Sequence, residues 1–302
     1  SGKSYMAAQV AANAQKMGID VIYFDSESAI DPTFLENAGC DLGSLLYVQA
    51  TSVESVLETI EELLGSNESK MLFIWDSLAL TPAISDLEGD FNPQSSMAVK
   101  PRILAKGMSK ITQQLANTQS TFLVLNQLKT NITRSPSEAM VEPYVTPGGK
   151  AMHYAYSLRI WLTGRKAKSA FIEDEKGFRI GSEVKVKLEK SRFGTQGRSC
   201  AFRIMWGTED VGIRDEESWF DAIKGCEYLS SAGAWYTLSM PDGYTKKFQP
   251  SKWTGLVTSD EEFKNRVISI MDEEIVQKFD KRQGSASAYY EDPEDLSVPI
   301  KE

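Results

Sequence analysis

The first four residues of the chain have the types and the order that bind phosphate. They are Ser1, Gly2, Lys3 and Ser4, which match the end of the pattern G-x-x-x-x-G-K-[ST]. In such a loop, backbone N–H groups at a helix N-terminus surround the phosphates, the lysine reaches the β- and γ-phosphates, and the hydroxyl ligates Mg²⁺. The sequence therefore predicts a nucleoside triphosphate site here. The alternative is an ordinary chain end, because so short a motif also occurs by chance.

Polar side chains end three apolar runs that are typical of buried strands. These side chains are Asp25 with Glu27 after Val21–Phe24, Asp76 after Met71–Trp75, and Gln127 after Phe122–Leu125. Helical patterns alternate with the runs, so the sequence predicts an α/β fold with a mostly parallel sheet. Ligands of such sheets bind beyond the carboxyl ends of the strands. We therefore expect these side chains and the phosphate loop at one edge.

Each of these polar residues has a chemical role open to it. Asp76 fits an acid that supports the Mg²⁺ shell, and Glu27 fits one that orients a water for attack on a γ-phosphate. Gln127, which can donate and accept, fits a sensor of the γ-phosphate that acts on the loop after it. The structural alternatives are a helix cap or turn for Asp76 and a solvated loop acid for Glu27.

Composition bounds the class of protein. The chain has 302 residues, 41% hydrophobic and 25% charged, which is ordinary for a globular protein with a sizeable core. A net charge of −9 argues against a surface coated with phosphate-binding groups, but it allows a local basic groove. A single histidine excludes His-cluster metal chemistry, and the wide spacing of the three cysteines argues against a zinc site or a disulfide framework. The apolar runs are too short to cross a bilayer, so we expect no membrane partner.

The pattern changes in the second half of the chain. Strand-like runs at Ser157–Leu162, Glu183–Leu188 and Cys200–Met205 predict antiparallel additions to the sheet. A helical and aromatic region from about Trp219 to Phe279 predicts a small second domain. The acidic end that follows is typical of a solvated tail.

Five motifs resemble the bacterial RecA recombinase family, in the same order. They are Phe24–Phe34, Trp75–Pro82, Asn126–Lys129, Thr146–Ala151 and Gly233–Tyr236. The resemblance runs from Ser1 to roughly Phe279 and points to a phage-encoded RecA or UvsX-like member in the bacterial cytoplasm. It implies a RecA-like P-loop ATPase core over residues 1–211, a small C-terminal α/β domain over 212–280 and an acidic tail over 281–302.

The same resemblance implies ATP and Mg²⁺ as cofactors. Residues 1–4 would bind the phosphates, with Ser4 and Asp76 at the metal, and Glu27 would orient the attacking water. Asp31 and Phe34 would hold the adenine, Phe34 by stacking. Gln127 would couple ATP to the second DNA-binding loop.

A pair of cations implies assembly. Lys190 and Arg192 match two family positions that reach the γ-phosphate of a neighbouring subunit, so that ATP lies at an interface and self-association forms a helical filament. Family members carry lysine at the second position, and arginine keeps the charge and adds a bidentate fork.

Two loops would contact single-stranded and double-stranded DNA. The first spans about Leu87 to Lys100 and the second Leu128 to Lys150. The residues expected to contact DNA are Met97, Arg102, Lys106, Lys129, Arg134, Gly148, Gly149 and Lys150. Glycine amides and basic side chains hold phosphates without reading bases, so we expect binding that is independent of sequence.

Two further expectations follow from the resemblance. The family has a non-proline cis peptide after the acid that follows the second run, which predicts a cis Asp76–Ser77 bond. The chain also begins inside the phosphate loop, so we expect the preceding strand and the N-terminal polymerisation element to be missing from it.

The sequence is compatible with three hypotheses on function. The leading one is an ATP-dependent strand-exchange recombinase that polymerises on single-stranded DNA for homologous recombination and repair. The second is another RecA-fold motor such as a ring helicase. The third is a non-hydrolysing DNA-binding regulatory paralogue.

Overall fold

Four parallel strands form the sheet at the centre of the first unit. The computed structural model describes residues 2–27, 31–88, 99–131, 144–164, 170–206 and 211–276, and its chain divides into two units after Tyr156. In the first unit the strands are β1 (Asp20–Asp25), β2 (Leu45–Gln49), β3 (Met71–Asp76) and β4 (Thr121–Val124), in the order β2-β1-β3-β4. The α/β class and the parallel sheet predicted from the sequence are confirmed.

Helices cover both faces of this sheet. Helix α1 (Lys3–Lys16) and helix α2 (Pro32–Asn37) pack on one face, through a row of buried alanines in α1. Helix α3 (Val53–Ser66) and helix α5 (Val99–Asn117) pack on the other, and the short helix α4 (Ile84–Glu88) precedes α5. Alternate residues of each strand point to opposite faces. Val21 and Tyr23 of β1 therefore lie against α1, whereas Ile22 and Phe24 lie in the other cluster.

A two-stranded hairpin and a short helix complete the first unit. Strand β5 (Lys129–Thr130) pairs antiparallel with β6 (Tyr144–Val145), and helix α6 (Gly149–Ala155) follows. The Asn126 side chain donates to the Pro147 carbonyl at 2.9 Å, which ties the end of this segment back to the residues that follow β4.

The second unit contains an antiparallel sheet. Strands β7 (Leu158–Gly164), β9 (Arg179–Ser191), β10 (Ser199–Met205) and β11 (Gly212–Arg214) are neighbours in the order β11-β10-β9-β7, and β8 (Phe171–Glu173) also pairs with β9. The predicted antiparallel direction is correct. The sequence also predicted that these strands add to the parallel sheet, and this prediction is wrong. Within the described residues, β7 to β11 pair with one another in a sheet of their own. Few residues separate these strands in sequence, which favours local antiparallel pairing.

The end of the second unit has an aromatic core. Helices α7 (Glu216–Ile223), α8 (Trp253–Ser259) and α9 (Glu261–Met271) pack with a sheet of β12 (Leu229–Ala232), β13 (Trp235–Ser239) and β14 (Thr245–Phe248). The described part of the chain contains no helix whose length and apolar character would let it cross a bilayer.

Candidate functional site

Helix α1 begins at the residues that the sequence assigns to phosphate. Gly2 is its N-cap and has a left-handed backbone (φ 76°), and the Met6 N–H donates to the Gly2 carbonyl at 3.0 Å. Lys3 and Ser4 form the first turn, which contains no acidic residue. The N–H groups of a first turn have no partner within the helix, and the helix dipole favours an anion there.

Two aspartates lie side by side at the carboxyl edge of the sheet. Asp25 and Asp76 are register partners at the ends of β1 and β3, and they are 1% and 6% exposed. The Ser4 hydroxyl is hydrogen-bonded to the Asp76 carboxylate, which brings the start of α1 to this edge. Asp76 also accepts a hydrogen bond from the Tyr23 phenol at 3.1 Å.

Glu27 belongs to the same cluster through Ser77. The Ser77 hydroxyl donates to Glu27 Oε1 at 3.2 Å, and the Glu27 N–H donates to Asp25 Oδ1 at 2.9 Å. Ser77 is buried, whereas the Glu27 side chain is exposed. The structure thus brings together Ser4, Asp76 and Glu27, three of the residues that the sequence singles out.

The Asp76–Ser77 peptide bond is cis, as predicted. Ser26, the residue after β1, supports this bond: the Ser77 N–H donates to Ser26 Oγ at 2.8 Å, and that hydroxyl donates to the Ser77 carbonyl at 2.9 Å.

Burial and like charges act together on Asp76. Burial raises the pKa of this carboxyl above its ordinary value, and the charges of Glu27 and Asp25 raise it further, while hydrogen bonds from Ser4 and Tyr23 act in the opposite direction. Burial is also the first cause that raises the pKa of Tyr23. The edge therefore concentrates negative charge where a metal cation would relieve the repulsion.

The donor set suits Mg²⁺. This cation prefers oxygen ligands and is usually held by one or two carboxylates together with phosphate oxygens and water. Ser4 and Asp76 supply a hydroxyl and a carboxylate in contact with each other. Within the described ranges, no group of three or more His, Cys, Asp or Glu side chains could hold a metal ion.

The residues expected at adenine lie at helix α2. Asp31 caps this helix by accepting the Thr33 N–H at 3.0 Å, and its side chain is exposed. Phe34 is half-buried with its ring edge-on to Tyr5, at 5.9 Å between centroids. Because Tyr5 follows Ser4 directly, Phe34 lies close to the first turn of α1.

Gln127 and the candidate DNA contacts are distributed around the hairpin and α5. Gln127 is exposed and lies just beyond β4, the strand next to β3. Lys129 is exposed in β5, and Arg102 and Lys106 are exposed one turn apart on α5. Lys150 is the second residue of α6. Ser1, Met97, Arg134 and the segment 281–302 lie outside the described residues.

The two glycines before α6 have different surroundings. Gly148 is buried with φ +106°, and a Cβ there would lie 2.8 Å from Met152 Cγ and 3.2 Å from Leu78 Cδ2. Gly149 is exposed, with φ +72°. Close packing therefore accounts for glycine at position 148 without any ligand.

Lys190 and Arg192 lie in the second unit with a third cation. Lys190 in β9 is the register partner of Arg159 in β7. The pKa of Lys190 is lowered, first by partial burial and then by the charges of Arg192 and Arg159. The sequence did not single out Arg159.

Lys100 was assigned to the end of the first loop, and the structure gives it different partners. Its Nζ donates to the carbonyl oxygens of Leu78 at 2.7 Å and Thr81 at 2.6 Å, so it supports the turn after the cis peptide. Burial is the main cause that lowers its pKa. A lysine at the start of a helix gave no sequence signal for this role.

Fold and site together define a class of protein: an α/β protein with a RecA-like P-loop core, in which the first turn of a helix meets two strand-end acids of a parallel sheet. Comparison with known proteins gives the family. The RecA N-terminal domain family matches residues 1–212, and the chain belongs to this family.

Curated relatives extend the match. Protein RecA of Fusobacterium nucleatum is 30% identical over 239 residues, covering 78% of this chain and 59% of the relative. Protein RecA of a Nocardioides species is 31% identical over 237 residues, covering 78% and 64%. Protein RecA of Mycoplasma mycoides is 26% identical over 278 residues, covering 92% and 76%. The chain thus spans about six-tenths of the length of the first two relatives.

Proposed function

We propose that the protein is an ATP-dependent DNA strand-exchange recombinase that forms helical filaments on single-stranded DNA, for homologous recombination and repair. The observation that carries the proposal is the hydrogen-bonded series from Ser4 through Asp76 and Ser77 to Glu27 at the start of α1. In that series, Ser4 is hydrogen-bonded to Asp76 and Ser77 to Glu27, and the Asp76–Ser77 peptide bond joins the two pairs. Membership of the RecA N-terminal domain family supports the same conclusion.

ATP with Mg²⁺ is the cofactor that the site would take. First-turn amides of α1, with residues 1–3, would hold the phosphates, and Ser4 with Asp76 would hold the ion. Bound Mg²⁺ would neutralise phosphate charge. Glu27, exposed and fixed through Ser77, would orient a water for attack on the γ-phosphate. Asp31 and Phe34 would contact the adenine.

DNA is the partner that the loops would take. Exposed Lys129, Arg102 and Lys106 give cations that suit phosphate contacts without base readout. The other proposed contacts are Met97, Arg134, Gly148, Gly149 and Lys150. Gln127 would link the ATP site to the second loop, and both single-stranded and double-stranded DNA would bind.

Assembly would complete the ATP site. Lys190 and Arg192 would reach the γ-phosphate held by a neighbouring subunit, so that ATP stabilises the filament. Mutual repulsion of the cations around Lys190 supports an anionic ligand there. We also propose the division into a core over 1–211, a small domain over 212–280 and an acidic tail over 281–302, in a phage-type member that acts in the bacterial cytoplasm.

The test is ATP hydrolysis in the presence and absence of single-stranded DNA. In a full-length version of the protein, we expect DNA to stimulate hydrolysis, and we expect Glu27→Gln or Lys190→Ala to abolish that hydrolysis. Glu217→Gln and Lys185→Ala are matched controls, because both residues are exposed in the second unit and have no role in the proposal. Robust hydrolysis by both test variants would overturn the assignments.

Electron micrographs separate the alternatives. Nucleotide-dependent filaments on single-stranded DNA support the proposal, and hexameric rings would favour a helicase. DNA binding without hydrolysis would favour the regulatory paralogue.

A further inference from the structure

We propose that Tyr23 is a positioning residue: its phenol holds the Asp76 carboxylate in the orientation that Mg²⁺ requires and thereby sets the Mg²⁺ affinity of the nucleotide complex. This inference rests on the proposed ATP site. The sequence placed Tyr23 in an apolar strand and gave it no role.

Strand register brings the phenol to the acid. Tyr23 lies two residues before Asp25 in β1, and Asp25 is paired with Asp76 in β3. Residues two apart in a strand share a face, so Tyr23 is a diagonal neighbour of Asp76 on the face that α1 covers. Its hydroxyl donates to Asp76 Oδ2 at 3.1 Å.

Burial makes this donor hard to replace. Tyr23 is 0% exposed and Asp76 is 6% exposed, so bulk water has little access to the hydrogen bond. The tyrosine ring packs among the α1 alanines, Val21 and Ile74, which prevents it from swinging away. A rigid donor on one carboxylate oxygen restricts rotation of the carboxylate, and partners of this kind orient metal ligands and tune metal affinity.

The neighbouring strand repeats the arrangement with one difference. Tyr47 in β2 is paired with Tyr23, and its phenol donates to Asp25 Oδ2 at 2.7 Å. Tyr47 is 43% exposed, so water can take the place of its hydroxyl. The two tyrosines are thus a matched pair, in which only Tyr23 contacts the acid assigned to the ion.

The experiment measures binding of a fluorescent ATP analogue while Mg²⁺ is titrated. We expect Tyr23→Phe to raise the Mg²⁺ concentration for half-maximal binding by about tenfold or more, within the range for lost partners of metal ligands. Binding of the analogue without Mg²⁺ should not change. Tyr47→Phe should shift the midpoint by less than about threefold, because water replaces the lost donor. Tyr228→Phe is the control: it removes a phenol that donates to Glu273 at 3.1 Å in the second unit, and it should leave the midpoint unchanged.

Each outcome decides between the two proposals. If the unaltered protein shows no Mg²⁺-dependent binding, the proposed function fails. If it binds and Tyr23→Phe keeps its midpoint, this inference fails and the proposed function stands. Urea unfolding checks each variant, and a Tyr23→Phe protein that cannot fold would assign the phenol to the fold and overturn the inference.

A double substitution tests whether Tyr23 acts through Asp76. In an Asp76→Asn background, which we expect to bind Mg²⁺ weakly, the further change Tyr23→Phe should leave the midpoint where it is. A shift as large as in the unaltered background would overturn the inference, because the phenol would then act by another route.

Discussion

Carboxylates are held in opposite ways in two regions of the molecule. At the edge of the parallel sheet, Asp76 is buried beside other acids and takes its hydrogen bonds from hydroxyls, and its pKa is raised. In the aromatic C-terminal region, Asp242 bonds Arg266, and Asp260 bonds Lys246 at 3.0 Å. The pKa of each of these two aspartates is lowered, first by a hydrogen bond to the charged form.

The contrast separates aspartates that are paired with a cation of the fold from an aspartate whose described hydrogen-bond partners are hydroxyls. A carboxylate that is paired with a cation is stabilised in its charged form and needs no further ligand. An acid buried among acids is costly until a cation arrives, and such sites are enriched for function. The substitutions considered next run from the largest expected effect to the smallest, and those at Asp76 and Asp260 test this contrast directly.

The largest change in stability should come from the aromatic core. Phe248 is 3% exposed and contacts the rings of Phe220, Trp253 and Phe263. Phe248→Ala should lower the free energy of unfolding by about 3–5 kcal/mol, because it removes buried contacts and leaves a cavity. Urea unfolding measures this. Phe178→Ala, at a side chain that is 66% exposed, should change stability by less than about 0.5 kcal/mol. Similar losses in both variants would contradict a packed core at Phe248.

A smaller loss should follow from crowding at Gly148. Gly148→Ala should cost about 2–3 kcal/mol, since the methyl group meets Met152 and Leu78 and the backbone has φ +106°. Gly243→Ala is the matched control, with φ +92° and nothing within 4 Å of a Cβ, and it should cost about 1 kcal/mol. Thermal and urea unfolding of both variants gives the difference. Equal losses would show that the backbone conformation, and not the packing, requires glycine at 148.

The sheet edge should respond in the opposite direction. Asp76→Asn removes a charge that burial and two neighbouring acids oppose, so it should raise the free energy of unfolding in Mg²⁺-free buffer by about 1 kcal/mol. Nucleotide binding that depends on Mg²⁺ should fall at least about tenfold. Asp221→Asn, at an exposed ion pair with Lys224, should change neither quantity. Lower stability of Asp76→Asn would mean that its hydroxyl donors outweigh the repulsion.

The edge itself was predictable from the sequence because the apolar runs before Asp25 and Asp76 fix where each strand ends. Parallel strands then bring those ends together, and the phosphate loop identifies the edge. The family resemblance added the cis Asp76–Ser77 bond, which no propensity would give.

Side-chain contacts between neighbouring strands could not be predicted from the sequence. Tyr23 and Tyr47 each occupy an apolar run, and what joins them to the acids is the register between β1, β2 and β3. Lys100 marked the end of the first predicted DNA loop, whereas its Nζ donates to the carbonyls of Leu78 and Thr81, which lie 22 and 19 residues away in sequence. Pairing of the strands after Ser157 with one another also depends on register and turns, which local periodicity does not encode.

The smallest expected effect concerns the cation-paired acids. The folded-state pKa of Asp260 is lowered, first by the Phe263 N–H and then by Lys246. The stabilisation is therefore complete above the unfolded pKa of about 3.9 and is lost as the pH falls through the lower folded value. Asp260→Asn keeps an acceptor for the helix cap but cannot titrate, so between about pH 5 and pH 2 this variant should lose less stability than the unaltered protein. Urea unfolding across that range, with Asp221→Asn as the exposed control, measures the difference. Equal acid sensitivity of Asp260→Asn and the unaltered protein would mean that neither the Phe263 N–H nor Lys246 favours the charged carboxylate, and the contrast with Asp76 would then rest on burial alone.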